Sequence, residues 1–166
     1  MRELTDAELR AGLTAALAVR RWVEEVASHA PFASLASLLD AARAAAPLRE
    51  FEIDQALGHH PRIGEKPVCD GAPQQFSRAE QASADDGDSA LAAAIADGNR
   101  RYEQRFDRVF LIRAAGRSRA EILAELERRL LLDDQTELVI VSGQLLEVAL
   151  LRLWQTFAAD FEAEPA

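Results

Sequence analysis

In the stretch Asp133-Asp134-Gln135-Thr136-Glu137-Leu138-Val139-Ile140-Val141-Ser142-Gly143-Gln144-Leu145-Leu146-Glu147-Val148-Ala149-Leu150-Leu151-Arg152-Leu153-Trp154, Leu138, Val141, Leu145 and Val148 recur at helical steps. Steps of three, four and three residues keep side chains on one face of an α-helix and have no strand period. Asp133-Asp134 is an acidic N-terminal cap. The pattern runs on to about Phe161, so this is predicted to be the last and longest helix. Its next step lands on Arg152. A cation on a core-facing stripe is costly unless it is paired. Arg152 either snorkels to water or faces an anion. We favour the anion, with Glu80 or a substrate as the candidates.

Upstream, the same period recurs between punctuating residues. Thr5-x-x-Glu8 is a capping box opening a helix with Leu9, Leu13, Ala16 and Leu17 on one stripe. Trp22, Val23 and Val26 form a second apolar group before Pro31. Pro31-Phe32-Ala33-Ser34 restarts the chain, and Leu35, Leu38, Leu39 and Ala42 give another stripe ending near Pro47. Leu48 to Leu57 reads as a short helix closed by Gly58. Ser89 to Phe106 is a further helix after the polar break Asp85-Asp86-Gly87-Asp88. Asn99, Tyr102 and Phe106 share one face of it, where a buried Asn99 calls for hydrogen bonds. Val109-Phe110-Leu111-Ile112 is a short apolar run, extended or buried. Ser118-x-x-Glu121 caps a helix to about Leu132. There is no internal repeat and no splitting linker. The expectation is an all-α, single-domain bundle of seven to nine helices spanning residues 1–166.

Composition agrees with that class and excludes others. A chain of 166 residues, 49% hydrophobic and 28% charged, has the usage of one globular domain. Aromatics at 6% with abundant alanine favour helices over a sandwich or barrel. The single cysteine, Cys69, excludes an internal disulfide framework and any cysteine-rich metal site. No run approaches the roughly 20 apolar residues of a membrane helix. The opening Met-Arg-Glu-Leu-Thr-Asp begins no apolar run, so no signal segment is expected there. A net charge of −9 argues against nucleic acid as a partner. The terminal Glu162-Ala163-Glu164-Pro165-Ala166 lacks a Ser-Lys-Leu ending, so a cytoplasmic location is expected.

Between Gly58 and Gln75 the periodicity stops. This stretch holds three Pro, three Gly, both adjacent histidines and Lys66. Long aperiodic loops within compact domains are often functional. In Gly58-His59-His60-Pro61-Arg62-Ile63-Gly64, proline pushes His60 out of the helical region, so a stiff backbone aims its ring. Imidazole titrates near neutrality and suits proton transfer. Neighbours on an extended segment point opposite ways, so His59 and His60 are poor joint metal ligands. The plain alternative is a surface loop with two solvated histidines. Ser77-Arg78-Ala79-Glu80-Gln81 has two readings as well. It is a capping box like those at Thr5 and Ser118, and it is also a helix N-terminus offering N–H groups and a carboxylate beside the histidine loop.

These segments together resemble the OHCU decarboxylases, enzymes of 2-oxo-4-hydroxy-4-carboxy-5-ureidoimidazoline. The resemblance is carried by His60-Pro61-Arg62-Ile63-Gly64, Ser77-x-x-Glu80-Gln81, Asn99-x-x-Tyr102-x-x-Arg105-Phe106, Phe110-Leu111-Ile112 and Arg152-Leu153. It spans nearly the whole chain. It implies an all-α bundle, often a homodimer, that uses no cofactor and no metal. The implied reaction converts OHCU, an intermediate of urate and hence purine degradation, to (S)-allantoin and CO₂. The implied catalytic residues are His60, as the acid, and Glu80. Pro61 would form pocket wall, and Ser77, Arg78, Ala79, Glu80 and Gln81 would contact the substrate. Ile112, Arg113, Ala114, Ala115 and Gly116 would offer backbone groups to its amides, and Arg152 would hold an oxygen. Asp107 stands where the family usually has glycine, which puts the turn before Phe110 in question.

Two other classes compete. An acidic helical adaptor fits the bundle and the charge, but calls for an exposed apolar groove and leaves the histidine loop and Arg152 unexplained. A metal-dependent hydrolase needs three converging ligands, yet the only imidazoles are His29, His59 and His60, with no H-x-x-x-H spacing. Decarboxylation needs an electron sink, and the conjugated C=N and carbonyl system of such a substrate supplies one. The protein then has to add orientation, partial desolvation and a proton on one face.

Overall fold

A computed structural model describes residues 4–58 and 89–162 of the protein. These residues form seven helices and no strand: α1 (Asp6–Ala16), α2 (Arg20–Ala27), α3 (Leu35–Ala44), α4 (Glu50–Leu57), α5 (Ser89–Phe106), α6 (Arg119–Arg129) and α7 (Asp134–Glu162). The fold is all-α, as the periodicity predicts. Local chemistry opens the helices. Thr5, Ser34 and Ser118 each accept from the backbone N–H three residues on, and the side chains of Glu8, Ser37 and Glu121 reach back. Asp133 opens α7, accepting from the Thr136 N–H at 2.9 Å and its hydroxyl at 2.7 Å.

The chain contacts resolve into two compact units, Met1–Ala56 with Leu145–Ala166, and Leu57–Gln144. The 29-residue α7 contributes to both.

In the first unit, Leu9, Gly12, Leu13 and Ala16 line the buried face of α1. At Gly12 a side chain would have no room, because a Cβ there would lie 2.2 Å from Cζ of Phe157. The glycine thus lets the Phe157 ring lie against α1. Trp22 is fully buried and donates from Nε1 to the Ala42 carbonyl at 3.0 Å, tying α2 to α3. Arg21 clamps the approach to α4. Its guanidinium donates to the two Glu52 oxygens at 2.7 and 2.9 Å and to the Ala45 carbonyl at 3.1 Å. Glu52 also accepts from the Arg49 N–H at 2.8 Å, capping α4.

In the second unit, α5 packs on α6 around Tyr102, Phe106, Phe110, Ile112, Ala114, Ile122 and Leu126. Tyr102 meets Phe106 and Phe110 with ring centroids 4.7 and 5.2 Å away. Phe110, Leu111 and Ile112 are buried without regular structure, which resolves the choice left open for this run. α5 ends at Asp107, whose φ of 53° is the left-handed conformation, with its N–H on the Glu103 carbonyl at 2.9 Å. Asp107 therefore takes the backbone geometry that glycine adopts more easily.

Two details differ from the sequence expectation. α6 ends at Arg129 and not near Leu132, since Leu131 and Leu132 turn back by three-residue hydrogen bonds to Arg128 and Arg129. The buried stripe of α7 begins at Glu137, with Val141, Leu145, Val148 and Arg152, while Leu138 is only half-buried.

Candidate active site

Of the residues singled out by sequence, His60, Pro61, Ser77, Arg78, Ala79, Glu80 and Gln81 lie outside the described residues. The others are Ile112 to Gly116, in the second unit, and Arg152, in the first.

Arg152 is 1% exposed, so it does not snorkel. Its Nη1 donates to the Ala16 carbonyl at 3.3 Å, at the C-terminal end of α1. That end carries partial negative charge and no basic residue of its own. That bond fixes one arm of the guanidinium against the end of α1.

The segment from Ile112 to Gly116 has a defined path. Ile112 and Ala114 are buried, Ala115 is half-buried, and Arg113 and Gly116 are exposed. The Arg113 N–H donates to Oε1 of Gln144 at 2.8 Å. The Ala114 carbonyl accepts from the Arg117 N–H at 3.0 Å across a turn that includes Gly116, where φ is 80°. That positive φ suits glycine.

Sequence reasoning missed the polar cluster just behind this segment. Arg129 and Glu137 are both fully buried and paired, with Arg129 Nε 2.9 and 3.1 Å from the two Glu137 oxygens. Arg129 Nη2 also contacts Glu137 closely and lies 3.4 Å from the Tyr102 hydroxyl, which itself donates to Glu137. The remaining arm, Nη1, donates to the Leu111 carbonyl at 2.7 Å. The guanidinium carbon stands 4.7 Å from the centroid of the Phe110 ring, a cation–π distance. Burial, aided by the bond to Glu137, pushes the Tyr102 hydroxyl well above its ordinary pKa, so it remains a donor. The signal was present in the sequence. Arg129 follows Ile122 and Leu126 by helical steps, as Arg152 follows Val148, and Glu137 precedes Val141 by four.

Among the described residues no group of three or more His, Cys, Asp or Glu could hold a metal ion. No described helix is long and apolar enough to cross a membrane.

Comparison with known proteins places this architecture. A family profile described as OHCU decarboxylase matches residues 2–154. Among solved structures, a crystal structure of OHCU decarboxylase in the presence of (S)-allantoin superposes with a TM-score of 0.72 at 20% identity, covering 93% of this chain and 99% of that one. A crystal structure of (S)-allantoin synthase superposes with a TM-score of 0.66 at 15% identity, covering 92% of this chain and 51% of that one. The chain thus spans about half of the synthase chain. At these identities the likenesses speak for the fold. Among curated protein sequences, none matches.

Proposed function

Because the chain belongs to the OHCU decarboxylase family, it is a decarboxylase of the route from urate to allantoin, and we propose that it acts without a cofactor and delivers (S)-allantoin. The family match over residues 2–154 carries the reading. The burial of Arg152 on the core-facing stripe of α7 supports it.

In the proposed reaction the bond from the substrate ring to its carboxylate breaks. CO₂ leaves, and the electron pair enters the adjacent C=N and carbonyl system as an enol equivalent. One proton then adds to carbon on one face. His60 acts as the acid that delivers or manages this proton. Glu80 accepts a hydrogen bond from the substrate hydroxyl and fixes the pose. Arg152 holds an anionic or carbonyl oxygen. Pro61, Ser77, Arg78, Ala79 and Gln81 complete the proposed contacts, and Ile112 to Gly116 meet the substrate amides. The proposed unit of function is the whole chain, as one domain working in the cytoplasm.

The test is to generate OHCU in situ from urate and follow its decay and the chirality of the allantoin formed. Accelerated decay to one enantiomer is expected, and racemic product at the spontaneous rate overturns the proposal. Within an active enzyme, His60→Ala is expected to lower turnover roughly 10²–10⁴-fold, with His59→Ala mild. Equal losses from both would give the histidines a loop-folding role. Glu80→Gln is expected to fold and lose most activity, because glutamine still caps a helix but accepts more weakly from a hydroxyl. Arg152→Lys is expected to fold yet bind substrate more weakly, since an ammonium cannot hold two oxygens in a plane.

A further inference from the structure

Two independent hydrogen bonds hold the backbone on either side of Ile112. On its N-terminal side the buried Arg129 donates to the Leu111 carbonyl at 2.7 Å. On its C-terminal side Gln144 accepts from the Arg113 N–H at 2.8 Å. The two anchors come from different helices, α6 and α7. Each is braced in turn. Arg129 is locked by Glu137 and Tyr102 and stacked on Phe110, whereas Gln144 sits within the long continuous α7.

An ordinary buried ion pair does not need this third arm. Arg129 and Glu137 already satisfy one another, yet the guanidinium is oriented so that its remaining nitrogen ends on a backbone carbonyl of a segment lacking regular structure. Such a segment has no helix or sheet ladder to fix its carbonyls and amides. Side-chain donors and acceptors from rigid helices do that work here.

We propose that Gln144 and Arg129 are positioning residues, which set the backbone of Ile112 to Gly116 for binding the substrate amides. The proposal rests on the reading that this segment contacts OHCU. Neither residue touches the substrate. Both act through the peptide groups between Leu111 and Arg113, whose orientation fixes where the following carbonyls and N–H groups point. Misplacement of a binding group by an ångström is costly to an oriented reaction. Backbone contacts made equally in the ground and transition states appear chiefly in KM.

Gln144 gives the cleaner test, because it is half-buried and stands outside the buried ion pair. Gln144→Met keeps length and removes the acceptor, while Gln144→Glu restores an acceptor for the Arg113 N–H. We expect Gln144→Met to keep its melting temperature, lower kcat/KM for OHCU about 10-fold mainly through KM, and speed amide exchange over Ile112 to Gly116. Gln144→Glu should recover most of the loss in both readouts. Arg129→Lys, which retains charge but not the fork, should shift KM in the same direction. A Gln144→Met enzyme with wild-type kcat/KM overturns the assignment. So does a loss shared equally by Gln144→Met and Gln144→Glu, or a loss that follows melting temperature alone. Wild-type protein that leaves OHCU to its spontaneous decay overturns the parent reading as well, and is distinguished from the other outcomes by that control.

Discussion

Asp107 holds a φ of 53° at the end of α5, where an L-residue pays for the approach of its Cβ to the backbone. The residue is exposed, so its side chain contributes no core packing. Asp107→Gly is therefore expected to stabilise the protein by about 0.5–1 kcal/mol, the strain relieved less the extra freedom of glycine in the unfolded chain. A denaturation midpoint measures it, and a less stable variant would show that the carboxylate holds the turn. The turn is also where the sequence was least telling, since residue type alone did not fix whether aspartate would keep a glycine's geometry. Arg152 was legible because a single cation interrupts an otherwise apolar stripe. Arg129 interrupts one too, but its partners, Tyr102 and Glu137, lie on two other helices and became apparent only through packing.

At the scale of the element, two helical glycines have opposite roles. Alanine is the better helix former by about 1 kcal/mol, and at Gly143 nothing described lies within 4 Å of a new Cβ. Gly143→Ala is expected to stabilise by about 0.5–1 kcal/mol. At Gly12 the new methyl would fall 2.2 Å from the buried Phe157 ring. Overpacking costs about 1–3 kcal/mol, which outweighs the propensity gain. Gly12→Ala is expected to lower the melting temperature while Gly143→Ala raises it. A Gly12→Ala variant as stable as wild type would refute the close contact, and a less stable Gly143→Ala variant would refute the open space at Gly143. The helices themselves were largely legible. α5 spans the residues predicted, Ser89–Phe106, and capping boxes mark α1 and α6 because capping is local chemistry. The end of α6 was not, because Leu130 to Leu132 continue an apolar pattern that the backbone abandons. Nor was the choice of Glu137 over Leu138 as the buried start of α7. Neighbouring positions on a helix differ by only about 100°, and packing from other helices selects between them.

For the whole molecule, acid is the revealing perturbation. The Arg21 guanidinium, helped by the Arg49 N–H, holds the Glu52 carboxyl below its ordinary value of 4.5. Glu121, Glu125, Glu127 and Asp133 are lowered too, chiefly by hydrogen bonds to Ser118, Arg128, Arg101 and Thr136. With folded values below unfolded ones, the unfolded chain binds more protons as acid is added, so stability is complete above about pH 4.5 and falls as pH drops through the folded values. Glu52→Gln, which loses charge-assisted bonds worth about 1.5–3 kcal/mol, should be less stable than wild type at neutral pH. The gap should close in acid. A gap independent of pH, in urea titrations at pH 7 and pH 3, would remove Glu52 from this account. The family profile and the fold of the solved relatives cover the chain nearly end to end, whereas the part of the site read from His60 lies in the stretch where helical periodicity gives no guide, and Glu80 lies in a capping box that most often only caps.

The bond from Arg152 to the Ala16 carbonyl joins residues 136 positions apart, and the Phe157 ring that lies on Gly12 is comparably remote. A ribosome makes the N-terminus first. At about 5–20 residues per second, roughly 7–27 s separate the synthesis of Ala16 from that of Arg152. During that interval the α1 stripe of Leu9, Leu13 and Ala16 lacks the α7 partners that later cover it. α1 is thus seated against α7 only after α7 has been made, long after its own synthesis.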